Sequence, residues 1–485
     1  MLLKNIINIS EDINITNIEI DSRKITKGGL FFALKGVANH GRDFIEQAIK
    51  NGAIAVICQE EKNTIITKNN IKIYNRSDAF DLLINSLQIL YPQLPKNIFA
   101  VTGTNGKSSI CHFIFQLLDF LYLKSASLGT LGVNCNIKID NLSPSSLTTS
   151  DIITLYRNLN ILARNGVDNI ALEASSLGIE QNRLAGIKIS LAAFSNFTQD
   201  HLDLHKTMEN YFNAKMLLFN NLMNDNSYAI LNSDIKEFGA IKEICQKKNH
   251  KIYSYGNNGK LIKLLNAKEN EAGFDLKLQI ADNIYNCNIK EVANFQIDNI
   301  LCALSCVISY YNLDQTKIEF LLQKLPDLTS VTGRMQKIAE LPNSAKIFID
   351  YAHTPDAIEN ILINAKKISH NKLHILFGAG GNRDKGKRPL MANIASKFAD
   401  KIIITDDNPR FEDASQIRKD ILLNCDKSKT IEVADRVEAI KFAIKNLNEN
   451  DILIIAGKGH ETYQIIGDTK KDLDEKKIVA EIVNL

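Results

Sequence analysis

The run Val101-Thr102-Gly103-Thr104-Asn105-Gly106-Lys107-Ser108-Ser109 has the residue types and spacing of a phosphate cradle. Glycines at 103 and 106 let the backbone turn its N–H groups inward. Lys107 then reaches terminal phosphates, and the Ser108 hydroxyl can ligate Mg2+ beside the positive end of a helix. The spacing is shorter than the common G-x-x-x-x-G-K-[ST] loop, but the context fits: Ile98-Phe99-Ala100 predicts a preceding strand and Ile110 to Leu118 a following helix. Glu173 ends the apolar run Asn169 to Leu172, which puts a carboxylate at the carboxyl edge of a sheet, where open α/β folds bind ligands. It reads as a magnesium ligand or as a helix-capping or solvated glutamate. The stretch Asn196-Phe-Thr-Gln-Asp200-His201-Leu-Asp203-Leu-His205 is dense in metal-binding and phosphate-polarising groups. There His201 suits a second divalent ion or a structural hydrogen bond. Lys215, within Tyr211 to Phe219, falls on a helical pattern beside apolar residues, where a lysine by itself snorkels at the surface.

Three further loops each follow an apolar run: Gly380-Gly-Asn-Arg383-Asp-Lys385-Gly-Lys387-Arg388, Asp406-Asp407-Asn408-Pro409-Arg410, and Gly457-Lys458-Gly459-His460-Glu461. Loops after parallel strands gather at one sheet edge. Arg383 and Arg410 suit a carboxylate through bidentate pairing, and Glu461 and Asn408 suit an amino group. A ligand carrying both charges is an amino acid.

These loops need scaffolds. At 485 residues the chain exceeds one ordinary core, and with 45% hydrophobic and 23% charged residues it reads as globular. Residues 1–95 carry strand-like runs at Leu30 to Leu34 and Ala53 to Cys58, with a helix from about Arg42 to Lys50; Tyr91-Pro-Gln-Leu-Pro95 punctuates like a linker. Residues 96–333 alternate apolar strands with amphipathic helices, as in a doubly wound parallel sheet of the phosphate-loop type. Residues 334–485 place strands at 346–350, 373–377, 401–405 and 451–456 with helices between, a Rossmann-like pattern. The expected class is therefore α/β with three domains. A balance of 58 basic against 55 acidic residues implies neither nucleic acid nor an acidic membrane surface as partner. Lys4 and Asn5 interrupt any apolar leader and no later run approaches a membrane span, so a cytoplasmic location is expected. The eight cysteines form no C-x-x-C pair and read as buried hydrophobes, Cys302 and Cys306 included.

The ordered set of motifs resembles the Mur ligases, ATP-dependent amide-bond formers of peptidoglycan synthesis. It resembles most the branch that adds meso-diaminopimelate to UDP-N-acetylmuramoyl-L-alanyl-D-glutamate. The resemblance spans the chain: Asp21-Ser22-Arg23 and Gly28-Gly-Leu-Phe-Phe; Thr102 to Ser108, Leu147-Thr-Thr149 and Glu173-Ala-Ser-Ser176; Asp350-Tyr-Ala-His353-Thr-Pro-Asp356, Asp407-Asn-Pro-Arg410 and Gly457-Lys-Gly-His-Glu-Thr-Tyr-Gln464. It implies a first domain for the UDP end, a second for ATP and a third for the incoming amino acid, in a monomer. Ser22 would then meet the uridine nucleotide, and Thr148, Thr149, Ser175, Gln181 and Arg183 the muramoyl-peptide. ATP would lie on Gly103, Thr104, Asn105, Gly106, Lys107, Ser108, Asn299, Arg334 and Asp350. Magnesium would fall to Ser108, Glu173, His201 and Lys215, the last matching the family's carbamylated lysine. Diaminopimelate would be held by Arg383, Asp407, Asn408, Pro409, Arg410, Gly457 and Glu461. Lys107, Glu173, His201 and Lys215 form the implied catalytic set. Ser109, Leu147, Leu177 and Gln296 depart from the family pattern. A lysine-adding paralogue lacks the need for Arg410, and a folylpolyglutamate synthetase shares the short phosphate loop but not the Asp-Asn-Pro-Arg or Gly-Lys-Gly-His-Glu-Thr-Tyr runs.

Overall fold

The computed structural model describes residues 1–9, 11–36, 39–144, 147–270, 273–290, 296–331, 333 and 335–483. Arg334, expected beside the nucleotide, lies outside them. Three large sheets organise the chain. The first, from Ile18–Glu19 to Ile71–Arg76, runs parallel and ends on one antiparallel edge strand, Thr64–Lys68. The helical stretch beside it starts as a 3-10 turn, Gly41–Phe44, and continues as Ile45–Lys50, stopping before Gly52, whose φ of 113° suits glycine.

The second sheet has ten strands. In it Asn97–Thr102 sits between Asn169–Glu173 and Ile189–Phe194, all parallel. Both faces are covered, and the sequence alternates accordingly. Ile98 and Ala100 face one core with Ile170 and Ala192, while Phe99 and Val101 face the other with Ala171, Leu191 and Ala193. The second core is closed by helices Lys107–Phe120 and Gln296–Tyr311, and here Cys302 and Cys306 are fully buried among aliphatic residues. Beyond the parallel strands the sheet departs from the expected alternation of strand and helix. An antiparallel meander, Ile262–Asn270, Gly273–Ile280 and Asn283–Lys290, extends one edge, and the hairpin Ser125–Gly129 with Gly132–Cys135 extends the other. The meander is legible in retrospect, because Phe274, Leu276, Leu278 and Ile280 are buried with period two.

The third sheet orders its parallel strands as Lys346–Asp350, Ile452–Ala456, Leu373–Phe377, Lys401–Ile404 and Thr430–Glu432, with antiparallel Gln336–Glu340 at the edge. The four expected strands appear within a residue of their predicted bounds. Inserting the last strand between the first two creates a topological switch, and the loops after Asp350, Phe377, Ile404 and Ala456 all leave from the carboxyl edge. Among the described residues no helix is long and apolar enough to cross a membrane.

One buried ion pair ties the end of the chain to this edge. Arg436 donates from Nε to Glu475 Oε1 at 2.7 Å and from an Nη to the Ala456 carbonyl at 2.8 Å, with both charged side chains out of water. Arg436→Ala leaves Glu475 buried and unpaired, so urea unfolding monitored on the third sheet should show a loss of about 3–5 kcal/mol. A loss under ~1 kcal/mol, the worth of an exposed pair, contradicts that assignment.

Candidate active site

The phosphate loop is held shut by the neighbouring strand. Thr104 N donates to Asn196 O at 2.9 Å, Asn105 N to Asn196 Oδ1 at 2.8 Å, and Ser195 Oγ to Asn105 O at 2.6 Å. The Thr104 hydroxyl bridges to the Thr198 carbonyl and receives the Thr198 amide, at 3.0 Å each. Gly103 and Gly106 have φ of 140° and 86°, and a Cβ at Gly106 would come within 2.4 Å of Asn299 Oδ1. Asn299 thus lies against the loop, its amide oriented by Gln296 at 2.8 Å. Helix Lys107–Phe120 starts directly at the loop, presenting its N-terminus with Ser108 to the same space.

Lys107 folds back onto the carbonyls of Gly103 and Thr104, at 3.0 and 2.7 Å. Lys215 donates to the same Gly103 carbonyl at 2.8 Å from the buried face of helix Met208–Leu217. Far from snorkelling, Lys215 is 1% exposed and lies 4.4 Å over the Tyr211 ring. The Tyr211 hydroxyl reaches Thr104 Oγ1 at 3.3 Å. Burial, with the charge of Lys107 beside it, drives the Lys215 ammonium well below its usual range.

Glu173 lies beside Val101 in the sheet register, and its carboxylate accepts from Thr130 N at 2.9 Å and Thr130 Oγ1 at 3.2 Å. Thr130 in turn contacts Thr148 Oγ1 at 3.2 Å. Thr149 bonds the Glu173 carbonyl at 2.8 Å and the Ser175 hydroxyl at 3.0 Å, while Arg183 bridges the Thr149 carbonyl and Gln181 Oε1, both at 2.7 Å. The five residues expected on the muramoyl-peptide therefore form one connected patch beside Glu173. Ser22 stands in the turn after Ile18–Glu19 of the first sheet, its hydroxyl 2.7 Å from Gln47 Oε1.

His201 occupies the left-handed region at φ 56°, and its backbone amide is held by Asp200 Oδ1 at 2.9 Å. Burial pulls its pKa down to about 3, against the opposing pull of Asp200 and with help from Lys107, leaving a neutral imidazole. Ser108, Glu173 and His201 thus offer a hydroxyl, a carboxylate and an uncharged nitrogen. No group of three or more His, Cys, Asp and Glu side chains is assembled among the described residues, so a cation here would take the rest of its shell from phosphate and water, as magnesium prefers.

In the third sheet, Gly381 N donates to Asn408 O at 2.9 Å and Arg410 Nη1 to the Gly381 carbonyl at 2.9 Å, so two of the loops are joined. Burial and then Arg383 push the Arg410 guanidinium down, against the pull of Asp407 and Glu461. Two neighbouring guanidiniums suit a carboxylate. Asn408 differs from expectation: its carbonyl oxygen accepts from Lys458 Nζ and Ile465 N, both at 2.9 Å, so both lone pairs are taken. Its Nδ2 donates to Glu461 Oε2 at 3.0 Å, an oxygen that Lys458 Nζ also approaches at 3.4 Å, which makes Asn408 a support for Glu461. Asp407, with Lys458 and Arg436 overriding the cost of its burial, stays ionised beneath Gly457, where a Cβ would meet it at 2.5 Å. Pro409 continues this loop into Arg410, whose φ is 53°. Asp350 holds Met335 N and Ala352 N, both at 2.6 Å, and so clamps the start of the third segment.

Sequence reasoning passed over several residues that build this site. Fully buried Lys458 has the signal of a lysine between two glycines. Buried Arg388 pairs with Glu412 at 2.8 Å and Asp420 at 2.7 Å, fastening the glycine loop to the Arg410 loop. Among the described residues, contacts between the second and third sheets' loops include Asn105 Nδ2 to Asp356 Oδ2 at 2.7 Å and Lys387 Nζ to Asp200 Oδ1 at 3.6 Å.

Comparison with known proteins is consistent along the chain. Residues 14–82 match the model of the Mur ligase family, catalytic domain; 101–307 the Mur ligase middle domain; and 333–459 the Mur ligase, glutamate ligase domain. The UDP-N-acetylmuramoyl-L-alanyl-D-glutamate--2,6-diaminopimelate ligase of Rickettsia conorii is 42% identical over 97% of this chain and 96% of its own. The protein of the same name from Caulobacter vibrioides is 37% identical over 95% and 94%. A solved ligase of that name superposes with a TM-score of 0.65 at 32% identity, covering 100% of this chain and 99% of the other. A Mycobacterium tuberculosis folylpolyglutamate synthase reaches 0.64 at 16% identity, covering 77% of this chain and 91% of its own, so the fold alone does not separate the two groups.

A methyl group at position 103 would lie 1.9 Å from Ser195 Oγ, which cannot move without releasing Asn105 O. Gly103→Ala should weaken ADP binding in calorimetry by about tenfold or more, ~1.4 kcal/mol. Unchanged affinity contradicts the loop's role as a phosphate cradle.

Proposed function

The chain belongs to the Mur ligase family, and on that premise we propose that it joins meso-diaminopimelate to UDP-N-acetylmuramoyl-L-alanyl-D-glutamate at the expense of ATP, in cytoplasmic peptidoglycan precursor synthesis. The observation that carries this reading is a phosphate loop on one sheet beside two neighbouring arginines on loops of the next, whose Lys387 reaches the Asp200–His201 loop. The first sheet, with Ser22, takes the UDP end; the second takes ATP; the third takes the amino acid.

The D-glutamate γ-carboxylate attacks the γ-phosphorus of ATP, giving an acyl phosphate and ADP. The diaminopimelate amine, having lost its proton, then attacks the acyl carbon, and inorganic phosphate departs with the bridging oxygen. Lys107, released from the Gly103 and Thr104 carbonyls, neutralises the transferring phosphoryl group. The patch of Thr148, Thr149, Ser175, Gln181 and Arg183 orients the acceptor, while Arg383 and Arg410 take the distal carboxylate and Glu461 an ammonium of diaminopimelate. Ser108, Glu173 and His201 fit Mg2+, which would neutralise phosphate charge when bound. Lys215, whose buried amine gives up its proton more readily than a free lysine, is suited to add CO2 in its neutral form and release a proton, which leaves a carbamate anion that would hold a second Mg2+.

Lys215→Ala should be nearly inactive; bicarbonate should not restore it, whereas formate or acetate should do so in part. Normal turnover in that variant makes Lys215 a packing residue only.

The direct test follows ADP release with diaminopimelate and lysine side by side, on the wild type and on Arg410→Ala. The wild type should prefer diaminopimelate. Removing the guanidinium should cost roughly 2–4 kcal/mol, about 30- to 1,000-fold in kcat/KM for diaminopimelate and far less for lysine. Equal losses, or a wild type preferring lysine, refute the specificity and leave the ligase chemistry standing.

A further inference from the structure

The loop that ends in His201 and the loop that ends in Lys387 belong to different sheets, yet their charges meet out of water. Asp200 and Lys387 are each about nine-tenths buried, with Asp200 Oδ1 3.6 Å from Lys387 Nζ. Asp200 also fixes its neighbour: Oδ1 accepts the His201 amide at 2.9 Å and Oδ2 lies 3.3 Å from His201 Nε2. That grip accounts for a histidine held at φ 56°, a conformation that a bulky residue keeps only when its surroundings impose it. His353, also from the third segment, lies close enough to Asp200 and to Asp407 to act on the charge of both.

Lys387 opens helix Lys387–Phe398, directly after the glycine loop that carries Arg383. Its neighbour Arg388 turns to Glu412 and Asp420, and Glu412 Oε2 accepts the Asn382 amide at 3.0 Å, bracing the Arg410 loop. One helix start therefore grips the amino-acid loops with residue 388 and the His201 loop with residue 387.

Resting on the ligase reading above, we propose that Lys387 and Asp200 are positioning residues that couple acyl-phosphate formation to amine capture, by locking the His201 loop to the amino-acid loops. The burial of the pair makes it all-or-none. An Asp200 without Lys387 would be a buried anion with its principal counter-ion gone, and the two loops would part to admit water. The reaction would then divide: phosphoryl transfer on the second sheet would continue, but water would replace the amine, returning the free γ-carboxylate and inorganic phosphate from the acyl phosphate.

The test measures ADP and amide product in parallel on the full chain, with saturating ATP, UDP-dipeptide and diaminopimelate. The wild type should release close to one ADP per amide. Lys387→Met, which keeps the apolar stem, should release about fivefold or more ADP per amide, with ADP affinity changed less than about threefold. Asp200→Asn should show the same excess, and the double variant no more than either single one, because the two act as a unit. Lys387→Arg should return the ratio to within about twofold of the wild type, which a merely fold-stabilising role does not predict once thermal unfolding shows all variants folded. If Lys387→Met does not fold, Asp200→Asn with Lys387→Arg carries the comparison. A ratio near one in the folded variants, or excesses that multiply in the double variant, overturns the coupling. A wild type that forms no amide overturns the functional reading instead.

Discussion

Two lysine nitrogens donate to one carbonyl oxygen, that of Gly103, and the chemistry of the site follows from that crowding. Two ammonium groups on one acceptor repel each other, and burial together with the charge of Lys107 weakens the hold of Lys215 on its proton. The position forces glycine, because a side chain at 103 would collide with Ser195. It forces a tight bracing of the loop by Asn196 and Thr198 as well, since the carbonyls must stay turned toward the lysines until a phosphate competes for Lys107.

Seen electrostatically, the site gathers positive charge around its loops. Lys107, Arg383, Arg410 and the helix start at Lys107 are the positive groups that a nucleotide, an acceptor carboxylate and an amino-acid carboxylate would meet. Carboxylates of the chain itself are spent internally: Asp200 on Lys387, Asp407 beside Lys458 and Arg436, Glu412 on Arg388. Of the expected amino-group partners, Asn408 has both lone pairs committed, while Glu461 engages Asn408 Nδ2 and Lys458 Nζ only through Oε2.

Legibility in the sequence followed the range of each interaction. The strands around the phosphate loop were readable because both faces of a parallel sheet are covered, and runs such as Ile98 to Val101 and Ile452 to Ala456 are apolar throughout. The antiparallel meander was overlooked because its period-two pattern is interrupted by exposed lysines and asparagines, although Phe274 to Ile280 states it clearly. Within the site, residues next to glycine-rich turns declared themselves. Those whose role depends on a distant partner did not: Asp200 needs Lys387, 187 positions on, and Lys215 looks like a surface lysine until Gly103, Tyr211 and the second sheet enclose it. Arg436 and Glu475 show the same limit, as charges in a core identifiable only through each other.

The account stands on a carboxylate oxygen passing to phosphate at the Gly103–Ser108 loop before the amine arrives. That oxygen can be followed. With the D-glutamate γ-carboxylate of the UDP-dipeptide labelled in both oxygens with 18O, mass spectrometry of the inorganic phosphate released during diaminopimelate ligation should find one labelled oxygen per amide formed. Phosphate without label, from a reaction that still yields the amide, would mean that the acceptor is never phosphorylated, and would contradict the mechanism assigned to this site.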